Sequence, residues 1–288
     1  MLQLVLGGIA MGSIYALVAL GFVMLYNATN IINFAQGEIV ALGAYLCVFA
    51  GAALGLTYLP ALGLAIILMA AIGPLLFLLG YYPLRDRTLL VGVVGTIGIG
   101  IALKNGLLLV AGPLPHTLPP FFGHALVQIG SAALPVQSLV IIAAAAIMFA
   151  AQFFFTHHTF TGIMMRATAQ DREMARMAGI RVNRVVALTF VVSCIIATVA
   201  GLLVAPVVFV TPDMGLPLML KAFIAIVVGG FGSIPGAIAG GMFVGLVDTL
   251  TAAYVSSTYK DVFTFLAFIL VITVRPTGFF GERVAVRV

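Results

Sequence analysis

Long apolar runs alternate with short polar breaks along almost the whole chain, and the run lengths predict helices that cross a bilayer. A crossing helix needs about 20 apolar residues. Residues 3–26, 39–56, 59–82, 89–111, 137–155, 185–206, 237–256 and 260–274 read as hydrophobic helices, while 218–230 is only long enough for a half-span. Counting every segment gives nine and an external N-terminus; the half-span widens the expectation to eight to ten. The predicted fold class is all-α, a polytopic membrane protein forming one membrane domain over residues 1–288. Within the first run, Gly8 and Gly12 form a small-xxx-small pair suited to close helix contact. Pro60 and Pro74 fall at the start of and inside the third run. The fourth is interrupted by Gly92, Gly95, Thr96, Gly98, Gly100 and Lys104.

The polar breaks set the orientation. Residues 156–184 form the one long polar segment and carry Arg166, Arg172, Arg176, Arg181 and Arg184 against Asp171 and Glu173. Lys and Arg concentrate in cytoplasmic loops, so this segment reads as cytoplasmic, as do the Arg85-Asp86-Arg87 turn and a tail holding Arg275, Glu282, Arg283 and Arg287. Residues 112–136 hold five prolines and no Lys or Arg, the pattern of a non-helical outer loop. Pro212-Asp213 marks a second outer turn.

The central loop also has helical punctuation. Thr161 and Asp171 are placed to cap two short helices, and Asn183 the span that follows. Gly179 is placed to end the second helix in a left-handed conformation. By helical spacing, positions 167, 171, 174, 175 and 178 fall on one face. That face is small and mostly apolar apart from Asp171, as expected of a surface that docks into a groove on a partner.

Composition narrows the chemistry. The chain is 63% hydrophobic and 7% charged, far below the roughly 25% charged residues of a soluble domain. Its formal charge of +5 sits in loops and tail, which gives no reason to expect a nucleic-acid partner. The N-terminus lacks the basic region of a signal peptide, so the first run reads as a retained span. Cys47 and Cys194 lie inside apolar runs and read as packed, reduced thiols. No phosphate-binding glycine loop occurs, so the chain is not expected to bind ATP or act as an enzyme. His157-His158 lacks metal-ligand spacing and reads as a pair at the membrane edge; His116 and His124 read as solvated. No metal or cofactor is expected in this chain.

Two stretches interrupt the apolar pattern within the membrane. Asn33, Gln36 and Glu38 lie in a polar break after the first run. Irregular backbone at membrane depth is tolerated only where protein or a watery cavity encloses it, so this segment is not expected to face lipid. Glu38 lies either at the cytoplasmic interface or inside the bundle. The second stretch, Gly229, Gly230, Gly232, Ser233 and Gly236, allows backbone conformations closed to other residues. Both follow a helix and precede a Gly/Ala-rich one, a pairing that points to an internal repeat around a translocation route. Lys221 and Asp248 flank the second break, either paired inside the bundle or reaching to interfaces; for Lys221 the interface is expected.

The order Gly162, Arg166-Ala167, Asp171, Ala175, Gly179-Ile180 resembles the coupling-helix pattern of ABC-importer permeases, more narrowly the permeases of branched-chain amino acid importers of the LivH type. Gly21 with Asn27, then Asn33 through Glu38, then Gly43-Ala44-Tyr45 is similar to that family as well. So are the Gly95–Gly98 stretch with Thr96, for which helix packing remains the simpler reading, and the Gly229–Ala237 stretch. The family commonly has His where this chain has Gln36, which argues against a titrating role there. The resemblance implies that residues 162–180 sit in a cleft of an ATP-binding subunit, two of which serve the transporter and hold the ATP and Mg. It further implies a second, homologous permease forming a heterodimer, an external substrate-binding protein, and a bacterial inner (plasma) membrane location with a cytoplasmic C-terminus. Asn33, Gln36, Glu38 and Thr96 become candidates for the pathway of an amino acid. Affinity for substrate would reside in the external protein. An ion-coupled secondary transporter or channel is the rival, but it would ordinarily carry more ionisable residues in its spans than Glu38, Lys104 and Asp248.

Overall fold

Helix α1 (Leu2–Thr29) is apolar on all sides and buried from Gly12 to Leu25, the signature of a helix enclosed by other helices. In the computed structural model, which describes residues 1–123, 125–129 and 132–281, α1 is the axis of the bundle. Around it pack α2 (Gln36–Leu54), α5 (Val136–His158), α8 (Val182–Val204), α9 (Gly215–Gly229) and α10 (Ile234–Tyr254). Outside these, α3 (Tyr58–Leu76) leans on α8 and α2, α4 (Leu89–Ala111) on α2, and α11 (Lys260–Val274) on α10. Two short helices, α6 (Phe160–Gln170) and α7 (Arg172–Met177), fill the loop between α5 and α8.

The closest pairing is α1 with α10, and glycine makes it possible. A Cβ on Gly12 would lie 2.8 Å from the Met242 Cα, and one on Gly8 would lie 3.1 Å from the Leu246 Cα. Gly241 and Gly245 answer from α10, so small residues at four-residue spacing face each other on both helices.

All nine expected hydrophobic helices are present. Seven are long and apolar enough to cross a membrane, among the described residues, while α9 and α11 have 15 residues each. Several boundaries move. The third run is not one helix: α3 stops at Leu76 and a π-helical turn, Phe77–Tyr81, follows, closed by the Tyr82 N–H on the Phe77 carbonyl at 2.8 Å. Pro74 has no N–H to give the preceding turn, a local cause for the change of winding. Gln36, Gly37 and Glu38 are helical, forming the first turn of α2; only residues 30–35 are irregular. The 112–136 loop carries an antiparallel hairpin that the sequence pattern did not announce, β1 (Leu126–Ile129) against β2 (Ala132–Pro135), with Leu126 opposite Pro135. His116 is half-buried rather than freely solvated. Its backbone bridges to Val210, and its ring packs edge-on against Tyr45 and Phe49. Cys47 and Cys194 are free and buried. His124, Glu282, Arg283 and Arg287 lie outside the described residues.

Candidate functional site

The arginine-rich loop folds as two short helices, as its capping residues predict. The chain is extended at Asp171 (φ −154°), so Ala167 on α6 cannot share a face with residues 174–178 on α7. The cap of α6 is Thr159, whose hydroxyl accepts from the Gly162 N–H at 3.0 Å, rather than Thr161. Thr161 is already inside the first turn. Asp171 does cap α7: its Oδ1 accepts from the Glu173 and Met174 N–H groups at 2.8 and 3.0 Å. Gly179 (φ +83°) ends α7, with the Ile180 N–H returning to the Ala175 carbonyl and the Gly179 N–H to that of Arg176. That pair of bonds is a Schellman closure. Asn183 caps nothing; it lies one residue inside α8, whose first residue is Val182.

Burial divides the expected contact residues. Gly162 packs on the end of α5, where a Cβ would lie 2.6 Å from the Thr156 Cα. Arg166 is exposed and Ala167 half-buried. Ala175, expected to face a partner, turns inward instead: it is 4% exposed and packs with Leu25, Phe77, Tyr81, Val186 and Phe190. The reason is tertiary. The small side chain lets α7 lie flat on the π-helical turn and α8. What α7 presents outward is Met174 and Met177, the latter 83% exposed. Arg172, not singled out by the sequence, braces α7 to the bundle. Its guanidinium donates to the Tyr81 hydroxyl at 3.2 Å and to the Ala28 carbonyl in the last turn of α1. A cation at a helix C-terminus also complements the helix dipole.

The break after α1 lies directly behind this brace. Asn30 adopts a left-handed conformation (φ 54°) and closes α1 with its N–H on the Tyr26 carbonyl. Asn33 Oδ1 then accepts from the Ala35 N–H at 3.2 Å and starts α2, which is why Gln36–Glu38 are helical. The four pathway candidates do not converge. Asn33 and Thr96 border one narrow, mainly apolar cavity with Thr29, Tyr81 and Phe190. Thr96 ties α4 to the break by accepting from the Phe34 N–H at 3.1 Å. Gln36 points away from that cavity, between α1 and α8, where its Oε1 lies 3.2 Å from the Ser193 hydroxyl; Gly21 leaves the space its amide fills. Glu38 lies inside the bundle at 7% exposure, against Gly215 of α9.

The glycine-rich break joins α9 to α10. Ser233 caps α10 by accepting from the Gly236 N–H at 3.1 Å. Gly229 and Gly236 meet backbone to backbone. The carbonyls of Val228 and Gly229, freed by the end of α9, accept from the Phe279 and Phe280 N–H groups at 2.9 and 2.8 Å. Gly230 (φ +113°) leaves room for that returning segment. Asn27 of α1 donates to the Gly232 carbonyl at 2.9 Å. Gly232 is left-handed (φ +83°), and a Cβ there would lie 3.2 Å from Asn27 Oδ1. Gly232→Val should therefore cost at least about 1–2 kcal/mol in backbone strain and loosen the α1 clamp. Its thermal midpoint in detergent should fall well below that of Gly98→Val, where a Cβ meets open space; equal midpoints would show slack in the break.

Lys221 does not reach for an interface. Its Nζ lies 2.8 Å from Asp248 Oδ2, 3.1 Å from Asp261 Oδ1 and 3.3 Å from the Tyr15 hydroxyl. Tyr15 in turn donates to Asp248 at 3.0 Å. Asp248 is a buried carboxylate on the α10 face toward α1, and the Lys221 stem is long enough to satisfy it from α9. Among the described residues, no group of three or more His, Cys, Asp or Glu could hold a metal ion. His157 and His158 instead stack on Phe153 and Phe154.

A family model described as the permease component of branched-chain amino acid transport systems matches residues 4–272. The chain is 37% identical to the high-affinity branched-chain amino acid transport system permease protein LivH of Escherichia coli, over 98% of this chain and 96% of that protein. Its identity to the corresponding protein BraD of Pseudomonas aeruginosa is 34%, over 98% and 96%. A probable branched-chain amino acid transport permease LivH of Methanocaldococcus jannaschii is 26% identical over 96% and 91%. Among solved structures, PsaBC from Streptococcus pneumoniae in complex with Fab aligns over 94% of this chain and 91% of that one, with a TM-score of 0.48 and 12% identity.

Proposed function

The chain belongs to the family of permease components of branched-chain amino acid transport systems, and from that premise we propose that it is one of two membrane subunits of an ATP-driven importer of branched-chain amino acids. A homologous second permease completes the channel. Two ATP-binding subunits, which hold ATP and Mg, engage α6 and α7 from the cytoplasm of a bacterial cell. An external binding protein delivers the substrate to the opposite face, where the 112–136 loop lies. This chain performs no chemistry. It converts movement of a surface helix into movement of the spans.

The observation that carries the reading is the seating of α7. Its outer face is free, and its inner face is fixed to the end of the central helix through Arg172, Ala28 and Tyr81. A push on α7 is thereby delivered to α1, the element every inner helix touches, and a rigid-body shift of a few packed helices suffices for alternating access. Few ionisable groups lie in the spans, which fits drive by ATP rather than by an ion gradient.

The test replaces an outward side chain. Met177→Glu should leave accumulation in the membrane unchanged while cutting co-purification of the ATP-binding subunits by about tenfold or more, since an unpaired charge buried in a cleft costs well above the 1.4 kcal/mol of one decade. Ala175→Trp should behave differently and destabilise the chain itself, because Ala175 is packed inside it. Equal ATPase recovery and equal transport by Met177→Glu would mean that α7 is not the contact.

A further inference from the structure

Lys104 and Asp213 take no part in coupling through α7. Lys104 lies seven residues before the end of α4 at Ala111, about 10 Å along the axis at 1.5 Å per residue. Its Nζ is 2.5 Å from Asp213 Oδ1, and the two side chains are 41% and 76% exposed. An ion pair this open is costly against lipid, so it faces water or protein. Beside it is an unsatisfied carboxylate: Glu38 is buried, and its Oε2 has no hydrogen-bond partner among the described residues. The same two elements hold all three groups together. Gly215, two residues after Asp213, lies so close to Glu38 that a Cβ would come within 2.5 Å of its Cδ; Gly100, one turn before Lys104, would place a Cβ 3.6 Å from its Cγ. Ile101 and Leu108, three residues before and four after Lys104 on the same face of α4, are exposed and apolar.

We propose that Lys104, Asp213 and Glu38 form a station for the zwitterionic head group of an α-amino acid in transit. The substrate carboxylate takes the Lys104 ammonium, the substrate ammonium takes Asp213 and Glu38, and Ile101 and Leu108 flank an apolar side chain. The exchange replaces one ion pair by two and leaves the net charge of the site unchanged. Because Lys104 must release a partner to accept another, holding is weak, as a route that has to discharge its cargo requires. This inference rests on the amino acid reading above.

The experiment uses the complete transporter with its partner subunits in liposomes and reads initial uptake of radiolabelled leucine from the loaded binding protein. Lys104→Gln and Glu38→Gln should each lower uptake by about tenfold, the loss of one charged hydrogen bond, with the complex recovered at wild-type yield. Lys104→Arg should keep most of it. A swapped pair, Lys104→Asp with Asp213→Lys, preserves an ion pair but misplaces its charges; it should assemble yet transport no better than Lys104→Gln. Uptake restored by the swap would reveal a purely structural pair and overturn the station, as would wild-type uptake by both neutral variants. If those variants fail to assemble, the exposed Asp213→Asn decides alone, and unchanged uptake overturns the proposal. Failure of the wild-type transporter to take up any branched-chain amino acid would instead remove the reading on which the station rests.

Discussion

Gly245→Val should abolish accumulation of a folded chain in the membrane. A Cβ at position 245 would enter the backbone of α1 at Gly12 and come within 2.5 Å of the Gly8 carbonyl oxygen. Overpacking among side chains costs about 1–3 kcal/mol because neighbours can yield. Here the neighbour is a helix backbone that no rotamer change can move. The two helices must separate, and the cost becomes the loss of the interface that fixes α10 on the central helix. Within a bilayer that loss is severe, since close packing rather than exclusion of water holds helices together. The measurement is the amount of monodisperse protein extracted from membranes. Gly98→Val, where the added carbon meets open space, should leave that amount unchanged. Recovery of Gly245→Val at wild-type level would show that α1 and α10 are not packed as described.

The second large effect is expected at the buried ion pair. Lys221→Met leaves Asp248 inside the bundle with only the Tyr15 hydroxyl for company. Removing one partner of a buried pair typically costs about 3–5 kcal/mol, because the remaining charge is uncompensated. The double variant Lys221→Met with Asp248→Leu removes both charges and should regain most of that loss. Asp261, with its side chain 58% exposed, can be solvated in either variant. Unfolding of the three proteins in detergent gives the comparison. A double variant as unstable as the single one would show that the pair does not act as a unit, and that the cost is lost packing of the lysine stem.

Much of this architecture is legible in the order of residues along the chain. Hydrophobic run length locates nine helices, because a bilayer permits few alternatives to a continuous apolar helix. The Asp171 cap and the Gly179 stop are legible as well, since both act within a few residues of themselves. Gly8 and Gly12 announce a close contact without naming its partner. The misreadings share a cause. Ala175 resembles a docking residue because helical periodicity says which residues share a face, not which side of the face is already occupied. Thr161 and Thr159 are two similar candidates for one cap, and local preference does not separate them. Lys221 reads as an interface lysine because its carboxylates, Asp248 and Asp261, are distant in sequence.

What the sequence by itself determined is therefore what local covalent structure and the solvent enforce: where the chain is helical, and which helices are long and apolar enough to cross a membrane. Only the tertiary structure decided which helix is central, which glycines touch, and which polar groups meet. Arg172 reaches the end of α1, Asn27 holds Gly232, and Lys104 lies against Asp213 because separate helices happen to bring them within a few ångströms. The physical reason is range. Propensity, capping and hydrophobic run length act over one to a few turns, whereas a buried charge or a backbone contact is satisfied by whatever residue packing places beside it.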